Sequence, residues 1–262
     1  MSVNAANGLT IGLKTYPQTL ALGDHEIVLT FDDGPLPATT RPILDALKAQ
    51  CVQATFFLVG RNAAANPQMV KREINEGHTV AHHSMTHPDI TLRGLSPNAA
   101  RDEIENGIKA DDMAAYGQTS ATPRVPFFRF PGFADTKATL DLLAQKQVAV
   151  FGADVWASDW NNMTPQAQLT LLMNRLEAAG RGVVLLHDTR PQTAAMVPDF
   201  LRALKAKGFK IVHIVPGSGP TALTPAPAGW QSETEASLKK IMPRLMKAQQ
   251  RGASAAPVMQ IP

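Results

Sequence analysis

Four apolar runs of the sequence end in side chains that can hold a metal ion or move a proton. Burying such groups without partners costs roughly 1 to 3 kcal/mol each, so their place at the ends of apolar segments indicates a function. The four runs end in Asp32-Asp33, in His82-His83 followed by His87, in Arg129, and in His187-Asp188.

The two adjacent carboxylates, Asp32 and Asp33, repel each other unless a cation or a shared proton separates their roles. One aspartate and two histidines, with water in the remaining position, form a common ligand set for catalytic zinc, and other divalent metals accept it. The alternative is a helix or turn cap, which would be preferred if no histidines followed in the chain.

His83 and His87 are four residues apart, so a single helical turn would place both on one side. His82 and His83 should face opposite ways on a strand, and spacing alone leaves His82 as an alternative ligand. His78 is interpreted as a structural histidine.

The elements that must position these groups alternate between short apolar runs and amphipathic stretches, which is typical of βα units and a parallel sheet. This pattern predicts a closed or nearly closed barrel with its reactive groups at the C-terminal ends of the strands, and an open doubly wound sheet is the alternative. No glycine-rich phosphate fingerprint follows the first predicted strand, which argues against a nucleotide-binding fold. The predicted strands are 27–31, 54–59, 78–82, 127–130, 148–155, 182–186 and 210–215, and the predicted helices include 41–49, 67–75, 97–115 and 165–179.

Composition narrows the class of protein. The formal net charge of the 262 residues is only +3 and the basic residues are scattered, so nucleic acid is not expected as a partner. The apolar runs are too short for a transmembrane segment, and residues 1–10 show no secretory signal pattern. Cys51 is the single cysteine and is predicted to be a small core residue. The oligomeric state is not indicated.

A turn-rich connector at 216–229 is predicted to end the catalytic domain. Beyond it, Leu238, Leu245 and their apolar neighbours fall at helical spacing, and Pro243 must kink that helix or start a new one. We expect this helix to pack onto the barrel. The predicted division is an N-terminal extension at 1–25, a catalytic domain at 26–215, and a connector with a helical tail at 216–262.

Together these residues resemble the polysaccharide deacetylases, which form carbohydrate esterase family 4 and share the nodulation-factor deacetylase (NodB) homology domain. The resemblance covers about 26–215, and ordered motifs are far more specific than any single one. The matching segments are Thr30-Phe31-Asp32-Asp33-Gly34-Pro35, Ala54-Thr55-Phe56-Phe57, His83-Ser84-Met85-Thr86-His87, Arg129-Phe130-Pro131, Asp159-Trp160 and Leu185-Leu186-His187.

The resemblance implies a distorted (β/α) barrel of about seven parallel strands, similar to a TIM barrel. It also implies a divalent metal ion held by Asp33, His83 and His87, with zinc expected and cobalt, nickel or manganese as alternatives. Asp32 would then be the catalytic base and His187 the catalytic acid.

The same resemblance gives roles to residues around these groups. Arg129 would orient Asp32, and Asp159 would pair with His187. The residues expected to contact the substrate are Pro131, Gly132, Trp160 and Leu185, with the last two lining the slot for the acetyl methyl and the Gly132 N–H serving as an oxyanion donor.

Two departures from the family pattern stand out. Gly132-Phe133 follows the third-motif proline, where an aromatic residue and then glycine are usual. Trp156 and Ala157 occupy the place of an acidic and a small polar residue, and Asp154 is the nearby acidic residue that could compensate.

The predicted function is metal-dependent removal of acetyl groups from amino-sugar residues of a glycan. Chitin-like polymer, peptidoglycan and poly-N-acetylglucosamine stay open as substrates, because loops set that choice. Such polymers favour a periplasmic or secreted location. The alternatives are a related hydrolase of a non-sugar amide and a carbohydrate-binding homologue that has lost catalysis.

Overall fold

The structure is a computed structural model that describes residues 1–6 and 8–251. Residues 252–262 of the predicted tail lie outside this range. The strands are β1 (Ser2–Val3), β2 (Thr10–Ile11), β3 (Gln18–Leu20), β4 (Glu26–Asp32), β5 (Thr55–Leu58), β6 (Thr79–His82), β7 (Phe127–Phe128), β8 (Ala149–Phe151), β9 (Val155–Trp156), β10 (Gly182–His187), β11 (Lys210–Ile211), β12 (Val215–Pro216) and β13 (Leu223–Pro225). The helices are α1 (Pro37–Ala49), α2 (Gly60–Ala65), α3 (Pro67–Asn75), α4 (Pro97–Tyr116), α5 (Lys137–Gln145), α6 (Pro165–Ala179), α7 (Pro191–Ala206) and α8 (Glu233–Gln250).

The main sheet is parallel and curls into a half-barrel. Its strand order is β2-β8-β7-β6-β5-β4-β10-β9. Strand β11 pairs with the first two residues of β4. It lies on the same side of β4 as β5, which pairs with the last three residues of that strand. The predicted distorted (β/α) barrel is therefore confirmed, and each of the seven predicted strands contributes to this sheet.

Alternating residues of β4 show how the half-barrel is filled. Leu29 and Phe31 pack against the surrounding helices, whereas Val28 packs inside with Phe57 of β5. Because side chains alternate along a strand, Thr30 and Asp32 also face the interior. The same inner cluster takes in Val3, Ile11 and Leu20 from the first 25 residues.

Two predicted strands are interrupted, for identifiable reasons. The run predicted at 148–155 divides into β8 and β9, because the carbonyls of Phe151 and Gly152 accept hydrogen bonds from the Arg129 side chain instead of continuing the ladder. The run predicted at 210–215 divides because Val215 leaves the main sheet and pairs with Ser2 in β12–β1. Strand β7 is also shorter than predicted, since Pro131 starts a short 3₁₀ helix.

The two flanking regions of the chain are joined to the sheet and to each other. Strand β2 pairs with β8 of the main sheet, and β3 pairs with β13. Helix α8 continues through Pro243 as one element and buries Leu238 and Leu245, so it packs back on the domain as expected. The domain boundaries stay a prediction.

Cys51 does not lie in the core, so that expectation is wrong. It is exposed, with φ at 53°, in the turn between α1 and β5. The chain reverses direction there, and the buried positions belong to the helix and strand on either side. No helix in the described part of the chain is both long and apolar enough to cross a membrane.

Candidate active site

Asp32 and Asp33 differ in backbone conformation at the end of β4. Asp32 is the last residue of the strand and is buried inside the half-barrel. Asp33 leaves the strand with φ at 80°, a conformation that aspartate tolerates better than most residues. Its backbone is fixed on both sides, since its N–H donates to the Phe57 carbonyl (3.2 Å) and its carbonyl accepts from the Asn62 side chain (2.7 Å). The two carboxylates can therefore take different roles.

His83 and His87 lie side by side, but a bend of the chain rather than a helical turn brings them together. Ser84 and His87 have φ values of 70° and 53°. The Ser84 hydroxyl accepts a hydrogen bond from the His87 N–H (3.1 Å) and closes the bend. The centres of the two imidazole rings are 5.2 Å apart.

The side chains of Asp33, His83 and His87 converge, with one ligand atom of each within 4.8 Å of the others. Asp33 Oδ1 lies 3.5 Å from His83 Nε2 and 3.6 Å from His87 Nε2. This oxygen is buried and has no hydrogen-bond partner among the described residues. His83 Nδ1 is hydrogen-bonded to the Arg129 carbonyl (2.7 Å), so the proton belongs on Nδ1 and the Nε2 lone pair faces Asp33. One carboxylate oxygen and two imidazole nitrogens fit a divalent metal ion.

The charge states of these groups also suit a metal, which binds deprotonated ligands. Burial raises the pKa of Asp33, but electrostatic interactions with the imidazoles of His87, His187 and His83 outweigh it and lower the pKa to about 2. Burial, followed by the charge of His87, lowers the pKa of His83 to about 3.

His82 points away from this cluster. Its Nδ1 is 2.9 Å from Asp111 Oδ2 of α4, and both side chains are buried. His78 is a structural histidine, since its Nδ1 accepts a hydrogen bond from the Ala54 N–H (3.1 Å). Of the three histidines 78, 82 and 83, only His83 contributes to the site.

Arg129 is fully buried and holds Asp32. Its Nη1 donates to Asp32 Oδ1 (2.7 Å) and to the Thr30 hydroxyl (2.8 Å), and its guanidinium lies 4.2 Å from the centre of the Phe57 ring. Burial raises the pKa of Asp32, and the charges of Arg129 and His187 oppose this with less effect, leaving the pKa at about 6. Asp32 is thus a fixed and unusually basic carboxylate.

Asp159 holds His187 by two contacts. Asp159 Oδ1 lies 2.7 Å from His187 Nδ1, and Oδ2 accepts from the His187 N–H (2.7 Å) and from the Thr193 hydroxyl (2.7 Å). Burial lowers the pKa of His187, but the charges of Asp159, Asp33 and Asp32 outweigh it and raise the pKa to about 9. The imidazole is therefore protonated at neutral pH, with Nε2 as the free donor.

An apolar cluster adjoins His187. It contains Leu185, Phe133 and Trp156, and Trp160 packs on it. The Trp160 ring lies edge-on to His187, with 6.0 Å between centroids. Gly132 lies in the turn between Pro131 and Phe133 with φ at 60°, which glycine adopts readily.

The second departure from the family pattern, at Trp156 and Ala157, has a clear place in the structure, and so has the nearby Asp154. Trp156 forms part of the apolar cluster. Asp154 accepts hydrogen bonds from the Leu13 N–H, the Thr19 hydroxyl and the Val183 N–H, all at 2.7 Å. Asp154 therefore anchors the N-terminal region and does not replace a missing acid in the site.

Thr30 and Asp188 were named from the sequence, but neither residue was given a supporting role in the site. Thr30 donates to the Val184 carbonyl (2.6 Å) while accepting from Arg129. Asp188, next to His187, is buried and accepts from the Thr40 hydroxyl, and a Cβ on Gly34 would lie only 2.0 Å from its Oδ2. The one signal for Thr30 was a hydroxyl within an apolar strand.

The chain belongs to the polysaccharide deacetylase family, whose sequence profile matches residues 20–151. A peptidoglycan-N-acetylglucosamine deacetylase of Listeria monocytogenes is 34% identical over 191 residues, which are 73% of this chain and 38% of that protein. A chitooligosaccharide deacetylase of a Bradyrhizobium species is 32% identical over 209 residues, with 74% of this chain and 90% of that protein covered.

Among solved structures, a peptidoglycan deacetylase of Bdellovibrio bacteriovorus superposes with a TM-score of 0.72 at 29% identity. The match covers 83% of this chain and 58% of that one. The chain thus matches well under half of the Listeria relative's length. The predicted family membership is confirmed.

Proposed function

We propose that this chain is a metal-dependent hydrolase that removes the N-acetyl group from amino-sugar residues of a polysaccharide. The observation that carries the proposal is the convergence of Asp33, His83 and His87 beside Asp32, with His187 on the adjacent strand. The residues that we propose as ligands, base and acid are thus close together at the C-terminal ends of the strands.

Asp33, His83 and His87 would hold the metal ion. A divalent ion bound there would polarise the acetyl carbonyl and make a water molecule more acidic. Zinc is the ion that this ligand set suits best, and cobalt, nickel and manganese are alternatives.

Asp32 is suited to accept a proton from the attacking water. Arg129 fixes the carboxylate through Oδ1, and Oδ2 is 3.9 Å from His83 Nε2 on the metal side. The pKa of about 6 makes Asp32 a stronger base than an ordinary carboxylate while leaving it ionised at neutral pH.

His187 is suited to protonate the departing sugar nitrogen. An amine leaves poorly without a proton, and the Asp159 pair keeps the imidazole protonated and aims Nε2 away from Asp159. Leu185 and Trp160 would contact the acetyl methyl, with Pro131 shaping the loop that carries the Gly132 N–H. That N–H would donate to the oxyanion.

The names of the relatives support an amino-sugar substrate. The Listeria and Bradyrhizobium proteins are named for peptidoglycan N-acetylglucosamine and for chitooligosaccharide, and both of these substrates carry N-acetylated amino sugars. A hydrolase of non-sugar amides would need the same metal, base and acid, so the substrate must be tested directly.

The test is acetate release by zinc-loaded protein from chitopentaose, peptidoglycan and poly-N-acetylglucosamine, with the ring opening of small cyclic amides followed in parallel. The proposal predicts acetate from at least one glycan and its loss in Asp32→Asn. Hydrolysis of cyclic amides alone would identify a non-sugar amidase. Glycan binding without any hydrolysis would identify a non-catalytic homologue.

A further inference from the structure

Arg190 lies at the edge of the candidate active site, and the mechanism above does not use it. It immediately precedes α7, and its N–H donates to the His187 carbonyl (3.4 Å) in the turn that follows β10. The turn therefore holds Arg190 within a few ångströms of the residue that we propose as the acid.

The Arg190 side chain is half-buried and lacks a partner within residues 1–6 and 8–251. Its Nε is shielded from solvent without a hydrogen bond, whereas its terminal nitrogens are not among the buried unpaired atoms. Arginine cannot shed its proton in a protein, so this charge is permanent. The guanidinium is thus desolvated at Nε, while its terminal nitrogens can donate hydrogen bonds to a ligand.

Each nearby carboxylate has another contact, although Oδ1 of Asp188 and Oδ1 of Asp33 have no hydrogen-bond partner among the described residues. Asp159 pairs with His187, Asp188 accepts from Thr40, and Asp33 faces the two histidines. The positive charge of Arg190 still reaches into the site, since it is one of the charges that lower the pKa of Asp33. The guanidinium forms no ion pair with a carboxylate of the described residues, so its terminal nitrogens can bind an acceptor from outside them.

We propose that Arg190 binds a carboxylate of the glycan substrate at the rim of the active site, so that the enzyme selects an acidic amino-sugar polymer over a neutral one. This inference rests on the proposed function. A carboxylate matches the planar guanidinium fork with two parallel hydrogen bonds, and such charge-assisted pairs are stronger than bonds to neutral hydroxyls. Arg190 would act on substrate choice and not on the chemical step.

The experiment compares kcat/KM on two N-acetylated oligosaccharides of equal length. One is neutral chitotetraose, and the other alternates N-acetylglucosamine with N-acetylmuramic acid, whose lactyl ether carries a carboxylate. A third substrate is the acidic oligosaccharide with its carboxylates converted to methylamides. Each is assayed with zinc-loaded wild type, Arg190→Gln and Arg190→Lys.

The matched control is Lys205→Gln. Lys205 is exposed in the last turn of α7, and 15 residues of helix place it about 22 Å from Arg190. This variant removes the same charge from the far end of the same helix, and both kcat/KM values should stay within about twofold of wild type.

Wild type should prefer the acidic oligosaccharide and lose that preference on the methylamide. Arg190→Gln should reduce the ratio of kcat/KM on the acidic substrate to kcat/KM on the neutral one by about 10-fold or more, mainly through KM. The ratio for Arg190→Lys should lie between those of wild type and Arg190→Gln. Zinc content should match wild type, because the ligands are unchanged.

Equal losses on acidic and neutral substrates, or a parallel loss of zinc, would overturn the inference and assign Arg190 a structural role. A wild type that prefers the neutral oligosaccharide would also overturn it while leaving the proposed function standing. No acetate from any of the three substrates would count against the proposed function itself.

Discussion

Asp32 and His187 occupy facing positions on the adjacent parallel strands β4 and β10. Each is the last residue of its strand and each is fixed by its own buried partner, Asp32 by Arg129 and His187 by Asp159. The register of one strand pair thus places the proposed base and the proposed acid next to each other at the ends of β4 and β10. Because Asp32 and His187 have different partners, each can be substituted without removing the partner of the other.

Asp32→Asn should retain the metal and lose activity. The ligands Asp33, His83 and His87 are unchanged, but removal of a general base typically costs at least about 100-fold in rate. Zinc content and acetate release from chitopentaose should be measured on the same sample. Asp141→Asn, which removes an exposed carboxylate paired with Lys137, is the control and should behave as wild type. Near-normal deacetylation by zinc-loaded Asp32→Asn would contradict the proposed mechanism, in which Asp32 is the base.

His187→Ala should also retain the metal, and its rate loss should depend on the leaving group. An alkoxide departs with less need of a proton than an amine, so the loss should be smaller on an acetyl ester than on an N-acetyl sugar. The measurement is the ratio of wild-type to variant kcat on each substrate. Equal ratios would remove the acid role from His187 and leave the other assignments intact.

His83→Ala should lose the metal, whereas His82→Ala should keep it. His83 Nε2 faces Asp33, but His82 is turned to Asp111. The His82 change leaves Asp111 buried and unpaired, at a cost of roughly 1 to 3 kcal/mol in stability, so zinc must be quantified per folded chain. Similar zinc loss in both variants would show that the ligand is wrongly assigned.

The His78 side chain should make stability fall in mild acid. Burial lowers the pKa of His78 to about 4 from an ordinary value of 6.5, so between these values the unfolded chain is protonated and the folded chain is not. The free energy of unfolding should therefore decrease as pH falls from about 6.5 to about 4, by up to about 3 kcal/mol from this group.

Urea unfolding at pH 7.5, 6 and 5 would test this effect. His78→Asn should show a shallower decline, because its amide can accept from Ala54 without titrating, and the exposed His25→Gln should decline as wild type does. A decline in His78→Asn as steep as that of wild type would assign the pH dependence to other groups.

The fold could be predicted from the sequence because local patterns determine its elements. Short apolar runs predicted the strands, and prolines marked the starts of several helices, among them α3 at Pro67 and α6 at Pro165. The breaks at Gly152 and Val215 could not be predicted, since they arise from Arg129 and Ser2, which lie far away in the chain.

The candidate ligands could be selected from residue type and spacing, but their geometry could not. The bend at Ser84 depends on positive φ values, and the orientation of His83 depends on the Arg129 carbonyl, 46 residues further on. Residue spacing left His82 and His83 as alternatives, and the buried partner of His82 on α4 separates them.

The most direct measurement is acetate release from chitopentaose and from peptidoglycan as metal-stripped protein is titrated with zinc. The account predicts no acetate from the stripped protein, a rate that rises with bound zinc, and a plateau at about one ion per chain, because Asp33, His83 and His87 form one site. Full activity in the stripped protein, or no acetate from either glycan at one bound zinc per chain, would contradict it.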